Sequence, residues 1–239
     1  MIQKYPEKIP HWISNKEVFG EGRDFFDKFN PATGEVLARV AKGDKKEADE
    51  ALATAEGAFS GWSQMHVSQR AEIMWKAAAL LEQRKEELAE IVALESGKPK
   101  KISIGEVEAA VKCGKFFAEE GARLFDIKEK LESTIPGRKA ELRRRPVGVG
   151  ALITPFNNPA AGIAWKLFPA LLCGNVVVIK SHSYTPYIAV WYAKLLKEVG
   201  LPSGVVNILQ GGGGNIGAAL VADRRVKFVS LTGSLSTGA

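Results

Sequence analysis

The chain has 239 residues, 46% of them hydrophobic and 25% charged, the balance of a globular protein long enough to bury a core, which excludes a disordered segment. Its net charge is +6. The densest basic run (Arg138, Lys139, Arg143, Arg144 and Arg145, beside Glu141) has no interleaved aromatics, so it reads as a solvated strand or an oligomer edge and not as a nucleic-acid surface.

Residues 1–10 are polar and lack the apolar core of a secretory leader, and no apolar run is long enough to span a membrane. Residues 25–40 predict strand, turn, strand, with Asn30-Pro31 and Thr33-Gly34 as the turn signals. A helix is expected over 45–60, where Ala51, Ala55 and Phe59 step at helical spacing, ended by Gly61. One long helix is expected over 68–95, capped by Ser68 and stopped by Gly97 and Pro99. Its apolar stripe runs through Ile73, Ala77, Leu80, Leu81, Leu88, Ile91 and Val92. Another runs from about residue 104 to 124. Cys113 and Cys173 lie in apolar stretches without metal-ligand spacing, as buried free thiols of a reducing, cytoplasmic setting; three scattered histidines do not suggest zinc.

After Pro136-Gly137 the pattern changes. Residues 139–145 alternate weakly, as an exposed strand would. Short apolar runs at 147–154, 176–180, 205–209 and 227–231 then alternate with helical stretches at 157–173, 185–199 and up to residue 221. That alternation predicts an α/β fold, a parallel sheet with helices on both faces. No internal repeat or low-complexity tract is present.

In such sheets ligands gather beyond the carboxyl ends of the strands, so the turns there carry the candidates. The first holds Ile153, Thr154, Pro155, Phe156, Asn157 and Asn158. A side-chain amide on a turn stiffened by prolines can donate to a developing oxyanion, although Asn beside Pro is also a common plain turn. The second holds Lys180, His182 and Ser183; a lysine there can reach a sugar hydroxyl or a phosphate, and a charged strand end is the commoner case. The third is Gly211 to Gly214, then Asn215, Ile216 and Gly217, where Gly213 and Gly217 open the backbone to a pyrophosphate. As a dinucleotide fingerprint it is weak, because it follows a late strand and has no acid downstream. The fourth is Thr232, Gly233 and Ser234, with Ser234 placed to cap a helix. Four polar turns after four successive strands suggest a nucleotide crevice.

Taken in order, these segments resemble the aldehyde dehydrogenase superfamily. Asn30 to Glu35 is similar to its N-terminal hairpin, and Arg145-Pro146-Val147-Gly148-Val149 to the lead into its first cofactor strand. Residues 154–159 resemble its Pro-Trp-Asn-aromatic-Pro loop, with Phe156 for tryptophan and Asn158 for the aromatic. Phe168-Pro169-Ala170-Leu171, Gly174-Asn175, Lys180, Thr185-Pro186, the glycine run and Leu231 to Ser234 complete the match. The resemblance implies a Rossmann-like NAD(P) domain. It also implies aldehyde oxidation through a cysteine thiohemiacetal, and a homo-oligomer of the complete protein. It gives Asn157 the oxyanion role, Lys180 the adenosine ribose, and Ser234 the pyrophosphate. Ser183 stands where the family often has a glutamate that rejects a 2′-phosphate, so NADP is expected to serve at least as well as NAD.

The family's nucleophilic cysteine and its glutamate base are expected beyond Ala239, which leaves this chain inactive alone. The implied organisation is 1–135 for the arm, hairpin and helices, 136–146 for an oligomerisation strand, and 147–239 for the cofactor core. A non-catalytic nucleotide-binding or interaction module and one half of a split enzyme remain open as alternatives.

Overall fold

The structure is a computed structural model describing residues 5–20 and 24–238. The expectations for residues 1–4 and for Ala239 lie outside the described residues. The chain opens with β1 (Lys8–Ile9), β2 (His11–Ile13), β3 (Lys16–Val18), β4 (Phe25–Phe29) and β5 (Val36–Ala41). Helices α1 (Lys45–Gln64), α2 (Val67–Gln83), α3 (Lys85–Ser96), α4 (Lys100–Phe116) and α5 (Ala122–Asp126) follow, with a π-helical turn at Phe117–Gly121. The ribbon β6 (Glu129–Leu131) and β7 (Ala140–Leu142) leads into β8 (Val149–Ile153), α6 (Pro159–Leu172), β9 (Val176–Lys180), α7 (Pro186–Glu198) and β10 (Val206–Leu209). A second π-helical turn (Gly213–Gly217), α8 (Ala218–Ala222), β11 (Val226–Leu231) and α9 (Leu235–Gly238) complete it.

Among the described residues the principal sheet has the order β11-β8-β9-β10-β2-β3. β11, β8, β9 and β10 are parallel neighbours; β2 joins β10 antiparallel and β3 joins β2 antiparallel. The β8 and β9 runs are short and almost wholly buried, as strands covered on both faces must be, and β9 is β-branched through Val176 to Ile179. Right-handed crossovers in one direction place α6 and α7 on one face. The return crossover from β10 to β11 places α8 on the other, where α1 also packs. The expected α/β fold is therefore present. α4 lies directly on α6 because Gly114 admits the Phe168 ring: a Cβ there would stand 2.8 Å from its Cζ.

Several boundaries differ from expectation. α1 runs on through Gly57 and Gly61 to Gln64, because Trp62 is buried and its Nε1 donates to Leu171 O at 3.1 Å, holding the last turn on α6. The single helix expected over 68–95 is two, broken at Arg84, whose guanidinium pairs with Glu198 on α7. Its cap is His66 instead of Ser68: the imidazole accepts from Ser68 N while Gln69 Oε1 accepts from His66 N, a reciprocal capping box. Gly97 ends α3 at φ 74°, a left-handed conformation that suits glycine. α4 starts four residues early, at Lys100. The strand expected over 139–145 shortens to β7, and β1 to β3 had not been anticipated.

Candidate functional site

β11 and β8 are neighbours, but the chain leaves β8 toward β9, away from β11. That reversal opens a crevice beyond the strand ends. A crevice of about 560 Å³ lies there. Its walls include Ile153, Thr154, Pro155, Phe156 and Asn157 from the first turn, Lys180 and Ser183 from the second, Gly213 from the third, and Thr232, Gly233 and Ser234 from the fourth. Each turn thus brings its candidates to one place, but Asn158 and most of the glycine run do not line the crevice, and Gly217, expected to open the backbone to a pyrophosphate, is buried within the second π-helical turn away from it. His182, Leu231 and Thr237 also line it.

The turns are stitched to one another. Thr154 N and Oγ1 both donate to Lys180 O at 3.3 Å, and Thr232 N donates to Ile153 O at 3.1 Å. Asn157 is exposed, and its Oδ1 accepts from Asn158 N at 3.0 Å, which leaves Nδ2 free to donate outward. Lys180 is 5% exposed; burial lowers the pKa of its ammonium, and Nζ has no partner among the described residues. No Asp or Glu stands among the crevice-lining residues, so Lys180 sets the sign of the field there. The side of Gly213 where a Cβ would stand is open space.

Phe156, His182 and Tyr184 form a three-ring cluster at the rim, with centroids 4.9, 5.6 and 5.0 Å apart. His182 Nδ1 accepts from Tyr184 N at 3.1 Å, and burial followed by the nearby Lys180 lowers its pKa, which favours the neutral ring. The Ser234 hydroxyl sits at the start of α9 and shares hydrogen bonds with the Ser236 and Thr237 hydroxyls, at 2.9 and 2.8 Å. This is the helix start expected of it, although the hydroxyl meets other hydroxyls and not backbone N–H groups. Burial pushes the Cys113 thiol up to about 11 and raises that of Cys173, so neither is a ready nucleophile. Among the described residues no group of His, Cys, Asp or Glu is arranged to hold a metal ion, and no helix is long and apolar enough to cross a membrane.

Sequence reasoning missed the groups behind the turns: Lys98, the buried Glu95 and Glu106, and Lys166, whose Nζ donates to Ser230 Oγ on β11 at 2.9 Å. The backbone N–H groups that the two glutamates accept from lie 54 to 93 residues away, a separation that leaves no local signal.

The geometry is that of a doubly wound α/β domain with a polar crevice where its strand order reverses. Comparison with known proteins fixes its family: the aldehyde dehydrogenase family model matches residues 18–239. The chain belongs to that family. It is 37% identical over 224 residues to a D-glyceraldehyde dehydrogenase (NADP(+)) of Picrophilus torridus, covering 92% of this chain and 45% of that protein. It is 38% identical over 231 residues to malonate-semialdehyde dehydrogenase 2 of Bacillus mycoides, with 97% and 47% covered. Among solved structures, a betaine aldehyde dehydrogenase from Staphylococcus aureus in complex with NAD+ superimposes with a TM-score of 0.92 at 30% identity. That match covers 96% of this chain and 47% of the other. The chain therefore spans about half the length of the relatives it matches.

Proposed function

We propose that the complete protein oxidises an aldehyde to the carboxylic acid with NAD or NADP, the aldehyde being held as a thiohemiacetal on a cysteine that is neither Cys113 nor Cys173. The observation that carries this reading is the convergence of four strand-end turns on one crevice whose field is set by an unpartnered, buried lysine. The residues fit a dinucleotide: the open side of Gly213 admits a ligand close to the backbone, and Lys180 offers donors with no competing carboxylate. Lys180 and Ser183 would hold the adenosine ribose, and Thr232, Gly233 and Ser234 the pyrophosphate. Ile153 to Phe156 would form the wall beside it. When bound, the cofactor supplies the hydride acceptor. Asn157 Nδ2, left free by the bond its Oδ1 makes to Asn158, donates to the oxygen of the aldehyde as negative charge develops there.

The reading extends to organisation and setting. Residues 147–239 serve as the cofactor core and 1–135 as its arm, hairpin and helices. Residues 136–146 and the β6–β7 ribbon join subunits into a homo-oligomer. A cytoplasmic setting accords with two unpaired thiols. Ser183 and Lys180 favour NADP at least equally, because no carboxylate lines the crevice beside them to repel a 2′-phosphate.

The test is aldehyde-dependent formation of NADH or NADPH by the complete protein, followed by absorbance, with kcat/KM compared between cofactors. The native protein is expected to accept NADP at least as well as NAD. Ser183→Glu is expected to move the ratio toward NAD by about tenfold, equivalent to ~1.4 kcal/mol. No turnover with any aldehyde would overturn the activity; an unmoved ratio would overturn the role of Ser183.

A further inference from the structure

The two helices that follow the first two crevice turns begin alike. α6 starts Asn158-Pro159-Ala160-Ala161 and α7 starts Thr185-Pro186-Tyr187-Ile188, each with proline at its first position. Proline has no N–H, so the next two residues carry the helix's free donors. Neither Asn158 nor Thr185 caps its own helix. A remote, buried glutamate does so in both cases. Glu106 Oε1 accepts from Ala160 N at 2.7 Å and Ala161 N at 3.2 Å. The Glu95 carboxyl accepts from Tyr187 N at 2.9 Å and Ile188 N at 3.4 Å. These helix starts are where a bound phosphate would otherwise be drawn, and in this chain both are filled from within.

Glu106 does more than cap. Its Oε2 pairs with Lys98 Nζ at 2.6 Å, and the same ammonium donates to Asn158 Oδ1 at 2.8 Å. Asn158 N in turn donates to Asn157 Oδ1. Three consecutive hydrogen bonds therefore run from a carboxylate that is 4% exposed to the amide facing the crevice.

We propose that Glu106 is a positioning residue: the chain's own anion at the start of α6, which through Lys98 and Asn158 fixes the turn that aims the Asn157 amide. The inference rests on the crevice being the reactive site, and its consequences divide from that reading. Removing the carboxylate leaves two N–H groups and the Lys98 ammonium facing a hole of carboxylate size, a cradle that a small added carboxylate can refill. The same removal frees the Asn157 amide to rotate while the surfaces that hold the cofactor stay in place.

The test uses the complete protein, with sodium formate as the probe. In Glu106→Ala, kcat is expected to fall by about tenfold or more, as for a misaimed oxyanion donor, with cofactor affinity by nucleotide fluorescence changed less than about threefold. Formate is expected to restore much of the lost rate and to raise the thermal midpoint of Glu106→Ala, leaving the wild type unmoved. Combining Glu106→Ala with Asn157→Ala is expected to cost little beyond Asn157→Ala alone, the signature of residues acting through one another. Should Glu106→Ala fail to fold, Glu106→Gln, which keeps the shape and loses the charge, carries the same kcat and affinity measurements. A loss that formate cannot recover in either rate or midpoint, or strictly additive losses, would overturn the proposal. Full activity in Asn157→Ala would instead overturn the oxyanion assignment, and the formate-dependent midpoint would still decide whether Glu106 is the internal anion.

Discussion

At the scale of single residues, Glu95 sets the sharpest conflict in the molecule. Its carboxyl is fully buried, and burial pushes it up to about 7, although the Tyr5 hydroxyl, the Tyr187 and Ile188 amides and the Lys28 ammonium pull the other way. A carboxyl whose folded pKa is raised stabilises the protein below its ordinary value of 4.5 and loses that contribution as pH rises through about 7. His11 acts in the opposite sense. Burial draws its imidazole down to about 4, so its contribution is present above 6.5 and lost as pH falls toward 4. The wild-type profile mixes the two, and a comparison isolates one. The thermal midpoint of the wild type relative to Glu95→Gln is expected to fall as pH rises from about 5 to about 8. A difference independent of pH would mean that Glu95 keeps an ordinary pKa. None of this was legible in the sequence, where Glu95 reads as one more glutamate at the end of a polar helix face; only the packing of α3 against the start of α7 buries it.

At the scale of elements, legibility followed length and pattern. β8, β9 and β10 were visible because short apolar runs bounded by turn residues have few other uses. The break at Arg84 was not, because the apolar period passes through it unchanged and the cause is a bidentate pair with Glu198 on a distant helix. The β6–β7 ribbon was anticipated only as an exposed, arginine-rich strand. Its register places Leu131 opposite Ala140 and Glu129 opposite Leu142, so Leu131, Ala140 and Leu142 share one face, with Glu129 at its end. Leu131 and Leu142 are 49% and 46% exposed. An apolar face on a two-stranded ribbon is poorly stable in water without a partner, in keeping with the proposed role in joining subunits. Replacing both leucines by serine is expected to shift the complete protein toward monomer in sedimentation velocity, with cofactor affinity unchanged. An unaltered sedimentation coefficient would remove the ribbon from the interface.

At the scale of the whole molecule, the parallel sheet and the crevice at its strand ends followed from the alternation of strands and helices, but the closing strands did not. β2 and β3 have three residues each, too few for a periodicity to show. Their place is set by partners far along the chain. Trp12 lies opposite Ile208, Ser14 N donates to Asn207 Oδ1, and Gln210 N donates to His11 Nδ1 across 199 positions. This arrangement imposes an order of assembly. β2 can pair at once with its hairpin mate β3, but its other edge has no strand to join until β10 is made, nearly 200 residues later. Its three residues, buried in the finished fold, must wait in water or in the keeping of a chaperone. Closing so long a loop is slow, whereas β8, β9 and β10 join through crossovers of ordinary length. In refolding followed by pulsed hydrogen exchange, the amides of β9 and β10 are expected to be protected before those of β2. Simultaneous protection would mean that the N-terminal arm docks as part of the first collapse. With the order expected, a late event in this domain's folding is the sealing of a sheet edge by strands synthesised well before the strand they close against.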